Sequence, residues 1–166
     1  MKINIDDITI RAELRPGDIG YVTWMHGAIY SNENGFGISF EAYVAKGLYE
    51  FYKNYDPGLD RVWVAEHDGR IVGFLLLMHR ENNAAQLRYF LLEPEYRGIG
   101  LGKKLTSLFM DFLKAKDYAS CYLWTTDEQD TAAVIYRKSG FTLTDEVEST
   151  EFGKLLKEHR YELLLK

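Results

Sequence analysis

Apolar and polar positions alternate from Ile8 to Arg15, with Ile8, Ile10, Ala12 and Leu14 on one side, as in a strand with one buried face. Pro16-Gly17-Asp18 stops the run and offers Asp18 as a helix cap. Ile19 to Tyr30 carries Ile19, Val22, Trp24, Met25 and Ile29 in a mixed pattern that predicts a helix, and Asn32 to Gly37 breaks it. From Ser39, a second capping residue, to Tyr55, the positions Phe40, Tyr43, Val44, Leu48 and Phe51 recur at three- and four-residue steps. That spacing predicts a second helix. Arg61 to Glu66 and Ile71 to Met78 are apolar strands on either side of His67-Asp68-Gly69-Arg70, where Asp-Gly predicts a tight hairpin.

Asn82-Asn83 turns the chain into a strand that ends at Leu92, and the stretch from Leu87 to Leu105 organises everything after it. Tyr89 to Leu92 is apolar, Pro94 ends the strand, and Arg97-Gly98-Ile99-Gly100-Leu101-Gly102 leads into an amphipathic helix over Gly102 to Lys116. Cys121 to Thr125 is a further strand, followed by a short helix carrying Tyr136 and by strands over Phe141 to Val147 and Tyr161 to Leu165. The order β-α-α-β-β-β-α-β-α-β-β predicts a mixed α/β sheet. At 166 residues the chain reads as a single domain, residues 1–166, since domains run to roughly 100–200 residues.

Composition narrows the classes. Apolar residues are 46% and charged residues 27%, as in an ordinary globular protein. The net charge of −5 argues against nucleic acid or an anionic membrane as partner, and on its own suits a cationic substrate. A single cysteine, Cys121, excludes an internal disulfide, and its apolar neighbours predict burial. No signal peptide and no apolar run of about 20 residues appears, so a cytoplasmic protein is expected. No His/Cys cluster has metal-ligand spacing, so no metal is expected, and no serine sits in a nucleophile elbow.

The candidate chemistry lies in the glycine turn. Glycines at alternate positions let successive backbone N–H groups converge on an anion at a helix N-terminus, with Arg97, Lys103 and Lys104 adding positive charge. A nucleotide P-loop would need Lys followed by Ser or Thr, and here Lys103-Lys104 follows Gly102. A dinucleotide fingerprint would place its third glycine one residue later and open the first βαβ unit of the chain. The remaining physical reading is a pyrophosphate cradle.

The turn resembles the coenzyme A-binding motif of the GCN5-related N-acetyltransferases, Gln/Arg-x-x-Gly-x-Gly/Ala, through Arg97, Gly100 and Gly102. A second block resembles the same family: Thr131-Ala132-Ala133-Val134-Ile135-Tyr136-Arg137-Lys138-Ser139-Gly140-Phe141, a short helix leading to Gly-Phe and a strand. The resemblance runs from about Ile8 to the end. The N-terminal stretch from Gly17 to Val44 is also similar to the acetyltransferase half of fusions with a MarR-type regulator.

The resemblance implies a mostly antiparallel central sheet with helices on both faces, and a fourth and a fifth strand that splay to admit acetyl-CoA. It implies cofactor contacts from Arg97, Gly98, Ile99, Gly100, Leu101, Gly102 and Lys103. Backbone groups of Leu91 and Leu92 would add to these, with their side chains in the core, as would Ala132 and Tyr136. Gln129 stands where many relatives have Asn. Tyr136 is placed near the thioester sulfur as the acid for the departing thiolate, against the plain alternative of a packed tyrosine among 12 in the chain.

Trp24, His26, Tyr30 and Phe36 cluster on the segment that covers the acceptor side in the family, as an acceptor pocket or as helix packing. Some relatives carry a basic Glu on the fourth strand where this chain has Gln86. Glu93, Asp127, Glu128, Glu33, His26 and His79 are left as candidate bases. The function implied is acetyl transfer from acetyl-CoA to a primary amine of a small molecule, amino acid or protein, with a homodimer left open. The alternative is a non-catalytic acyl-CoA-binding sensor or regulatory module.

Overall fold

The computed structural model describes residues 2–166. Seven strands form one sheet: β1 (Thr9–Arg11), β2 (Arg61–His67), β3 (Arg70–Arg80), β4 (Ala84–Leu92), β5 (Ser120–Thr126), β6 (Thr142–Ser149) and β7 (Leu156–Leu164). They lie in the order β1-β2-β3-β4-β5-β7-β6, antiparallel throughout except where β4 and β5 run parallel. Four helices cover the sheet: α1 (Asp18–Asn34), α2 (Ile38–Lys53), α3 (Leu101–Ala115) and α4 (Asp130–Lys138). This is the element order that the hydrophobic pattern predicts.

Strand β3 is buried over seven consecutive residues because both faces are covered. Leu75 and Leu77 face Leu101, Leu105 and Phe109 of α3, while Phe74 and Leu76 face Met25 and Ile29 of α1 and Val44, Leu48 and Phe51 of α2. Two apolar layers therefore fix both helix pairs relative to the middle of the sheet. The hairpins turn where the sequence has left-handed formers: Asp68 and Gly69 at φ 50° and 75°, and Asn82 and Asn83 at φ 60° and 54°.

Several boundaries differ from the sequence reading. Helix α1 runs through Asn34, so the break is shorter than Asn32 to Gly37 and starts at Gly35, whose N–H caps Ser31 O at 3.0 Å. Asp18 is not the cap; Gly17 is. The buried Asp18 carboxylate instead accepts from Arg11 Nη1 and Nη2 at 2.7 and 2.8 Å and from Arg15 N at 2.7 Å, tying β1 to α1. Ser39 is likewise inside α2, which starts after Gly37.

Strand β1 keeps only Thr9 to Arg11: its pairing with β2 stops at Arg11 opposite Val64, where the Arg11 side chain engages Asp18. Strand β7 begins at Leu156, five residues before Tyr161. Its charged stretch Lys157 to Arg160 hides the strand from a hydrophobic reading. No helix among the described residues is long and apolar enough to cross a membrane.

Candidate active site

Strands β4 and β5 pair only over Ala84–Gln86 and Ser120–Tyr122. The cause of their divergence is on β4. Tyr89 has φ 57° and the register against β3 shifts between Phe74 and Leu76, so an extra residue bulges out and bends the strand. Leu91 and Leu92 remain paired with Phe74 and Gly73 on β3 but have no partner on the β5 side. The opening is a cleft of about 590 Å³ that reaches from the start of α3 to the loop between β6 and β7.

At one end lies the glycine turn. Gly98 and Gly100 have φ 76° and 92°, conformations that side chains with a Cβ rarely adopt, and Gly100 is the N-cap of α3. The first helical hydrogen bond is Lys104 N to Gly100 O at 3.0 Å, so the N–H groups of Leu101, Gly102 and Lys103 have no acceptor within the helix. Gly98, Gly100, Gly102 and Lys103 line the cleft. Those free amides at the positive end of a four-turn helix suit a pyrophosphate. Thr126 Oγ1, also on the cleft wall, is buried without a partner and could accept or donate one hydrogen bond to a bound amide.

Two residues of the turn stand apart. Leu101 is 1% exposed, so its side chain belongs to the core and only its amide can serve a ligand. Ile99 faces a separate hollow formed with Lys2 to Ile5. Arg97 lines the cleft, yet its guanidinium is engaged: Nη1 and Nη2 donate to Glu33 at 2.8 and 3.2 Å, and Nη2 also reaches Leu92 O at 3.3 Å. It fastens α1 across the cleft to the cradle.

Tyr136, from α4, is buried against Phe141 and Tyr161 with ring centroids 6.2 and 6.1 Å away, and it lines the cleft with Gln129 and Ala132. Burial, reinforced by the Tyr30 phenol, raises its pKa well above the ordinary tyrosine value, so its proton is held firmly. Tyr30 itself is pushed up to about 12 by burial. Gln129 is the N-cap of α4 but makes no side-chain cap bond, which leaves its amide available to the cleft.

The far end is aromatic. His26, Tyr30 and Phe36 all line the cleft; His26 stacks on Tyr30 at 6.0 Å and meets the edge of Tyr89 at 5.7 Å. Its Nδ1 lies 2.8 Å from Val22 O, so Nδ1 carries the proton and Nε2 is a buried acceptor with no partner. Burial lowers the imidazole to about 4, which leaves it neutral at neutral pH. Trp24 is not part of the cleft: it is 57% exposed, on the side of α1 away from the buried stripe of Val22, Met25, His26 and Ile29. It faces solvent, so it does not take the acceptor role expected from its place beside His26 in the sequence.

Phe152, from the β6–β7 loop, and Trp124, on β5, complete the wall, and sequence reading missed both. Phe152 lies more than a hundred residues from the aromatic rings it touches, so no local pattern reveals it. Trp124 was legible in principle, since strand alternation turns it away from the buried Cys121 and Leu123. Cys121 is core as expected, its thiol raised to about 12 by burial.

Among the candidate bases, Glu33 and Glu128 line the cleft but are ion-paired, with Arg97 at 2.8 Å and with Lys154 at 2.6 Å. His79 faces Tyr118 at 3.3 Å, and Asp127 accepts from Lys157 N at 3.2 Å; neither these two nor Glu93 lines the cleft. Gln86 is on the wall, its Oε1 accepting from Arg80 Nε at 2.9 Å.

The model of the acetyltransferase (GNAT) domain matches residues 58–143, the segment that contains the bulged strand, the cradle and the Tyr136 helix. The chain belongs to the GNAT acetyltransferase family. The chain is 32% identical over 101 residues to YjgM, an uncharacterized N-acetyltransferase of Escherichia coli K12, covering 59% of this chain and 60% of that one. It is 29% identical over 140 residues to a spermidine N(1)-acetyltransferase of Thermoplasma acidophilum, covering 84% of each. The chain spans 28% to 60% of the length of curated relatives that are 32% to 36% identical to it. An acetyltransferase of the GNAT family from Staphylococcus aureus Mu50 superposes with TM-score 0.78 at 24% identity, over 96% of this chain and 99% of that one. That likeness is one of fold.

Proposed function

We propose that this chain is an acetyl-CoA-dependent N-acetyltransferase that passes acetyl to a primary amine of a small molecule, amino acid or protein by direct attack. The observation that carries the reading is the splayed cleft, which joins free helix amides at one end to Tyr136 and an aromatic pocket at the other. A relative named for spermidine acetylation supports an amine as acceptor. The N-terminal likeness to the acetyltransferase half of MarR-type fusions belongs to the same reading, with α1 and α2 on the acceptor side. A cytoplasmic location is included, which the single buried cysteine supports.

In this reading the amides of Gly98 to Lys103 hold the pyrophosphate, and the unpaired edge of β4 at Leu91 and Leu92 holds the pantetheine arm as an added strand would. The amine nitrogen attacks the thioester carbonyl, and a C–N bond replaces the C–S bond. Tyr136 then gives its proton to the departing thiolate. The amine proton leaves to solvent through the open mouth, because Gln86 cannot take it and Glu33 and Glu128 are held in ion pairs. Initial velocities with acetyl-CoA and a panel of amines test the reading. Intersecting double-reciprocal lines are expected for direct attack; parallel lines contradict it, and thiol release that no amine stimulates removes the transferase reading in favour of a sensor.

A further inference from the structure

We infer that the acceptor carries a carboxylate beside its amine, and that Arg88 on β4 binds that carboxylate; the inference rests on the acetyltransferase reading and narrows its substrate to amino acids. Arg88 lines the acceptor half of the cleft, beside Gln86 and Tyr89. Its register partner on β3 is Leu76, as Met78 is for Gln86, so both side chains stand on the α2 face of the sheet.

The guanidinium is held in place without being neutralised. It lies over the Tyr89 ring at 4.6 Å and beside the Tyr43 ring at 5.6 Å, and Nη2 donates to Tyr43 Oη at 3.0 Å. Nη1 meets only Met78 Sδ, at 3.8 Å. Gly47 of α2 leaves the room for this: a Cβ there would stand 3.1 Å from Nη2. Among the described residues neither Arg88 nor its neighbour Arg80 pairs with a carboxylate, and Arg80 instead donates to Gln86.

Carboxylates at the same mouth are already matched, Glu33 by Arg97 and Glu128 by Lys154. Glu158, across β5 on β7, is a further acid on the wall. The acceptor mouth thus presents a fixed cation on β4 and an acid on β7, a field that suits a zwitterion better than a polycation. A planar guanidinium pinned by stacking matches a carboxylate with two parallel hydrogen bonds, and little side-chain freedom remains to be lost on binding. The net charge of −5 pointed toward a cationic substrate because it averages over a surface that the acceptor never meets.

The test compares the proteinogenic α-amino acids with the amines that their decarboxylation gives, and with spermidine. Two readouts are taken: initial rates with acetyl-CoA, and calorimetric affinity for protein saturated with CoA. At least one acid should exceed its decarboxylated amine by about tenfold to a hundredfold in both kcat/KM and affinity, the range expected for a charge-assisted hydrogen bond. Arg88→Met should bring that ratio close to one. If Arg88→Met does not fold, Tyr43→Phe, which frees Nη2, should shrink the ratio.

Acids that neither bind nor react overturn the inference, as does a ratio near one in the unaltered protein or an unchanged ratio in a folded variant. A binding ratio that stands while no amine releases thiol would instead refute the transferase reading and leave the carboxylate site in place.

Discussion

The hydroxyl of Tyr89 occupies the space that a side chain on Gly47 would fill, so a tyrosine at the bulge of β4 is seated against the backbone of α2. The pair sets the shape of the aromatic end of the cleft, because the bulge that parts β4 from β5 can form only if the Tyr89 ring has somewhere to go. Gly47→Ala puts a methyl group there and should destabilise the fold by about 1–3 kcal/mol, as overpacking does. Since Tyr89 Oη is buried without a partner, Tyr89→Phe should be nearly neutral alone and should recover part of that loss in the double variant. Denaturant unfolding of the four proteins measures it; strictly additive effects would contradict the seating.

Gly100 opens the cradle. With φ 92° and the first free amides of α3 directly after it, Gly100→Val adds a β-branched side chain where the backbone must be left-handed and a ligand must approach closely. Acetyl-CoA affinity should fall below calorimetric detection while the circular dichroism spectrum stays native. Unchanged affinity would mean that these amides do not hold the cofactor.

His26 gives a pH dependence of stability. Its pKa is lowered to about 4 by burial, against 6.5 when unfolded, so the unfolded chain binds more protons between those values. The stability from keeping the imidazole neutral is complete above pH 6.5 and is lost as pH falls toward 4. Between pH 7 and pH 5 the unfolding free energy should drop by about 2 kcal/mol more in the wild type than in His26→Gln. Equal slopes would mean that the imidazole is not buried in the neutral form.

Much of this was written locally in the chain. The hairpin at Asp68-Gly69 and the left-handed Gly98 and Gly100 follow from short-range rules, and β3 and α3 show their periodicity plainly. The Arg88 nook was not legible, since Tyr43, Gly47, Met78 and Tyr89 meet only through the register of β4 and the packing of α2. A bulge adds one residue to a strand without marking the sequence, and Tyr89 reads as an ordinary apolar strand position. Trp24 misled for a related reason: it is close to His26 in sequence but on the opposite side of the helix.

Tyr136→Phe keeps the ring packed on Phe141 and Tyr161 and removes only the proposed proton donor. Turnover should fall by roughly 10²–10⁴-fold, the usual worth of a general acid, with acetyl-CoA affinity unchanged. Because its folded pKa is raised, the wild-type hydroxyl stays protonated past pH 10, so the pH–rate profile should show no loss of this acid between pH 7 and pH 10. The same shift means that the folded state binds the extra proton, and stability should decline as pH rises above about 10. A Phe variant with wild-type turnover at every pH would make Tyr136 a packing residue.

Whether the splayed cleft holds acetyl-CoA and passes its acetyl group to an amine is read by one assay. Free thiol is followed with acetyl-CoA in the presence and absence of each candidate amine, and the same samples are weighed by mass spectrometry. Amine-dependent thiol release is expected, matched by an amine heavier by one acetyl group, with both signals lost in Gly100→Val. Thiol release that is independent of every amine, or an acetyl group that remains on the protein, would contradict it.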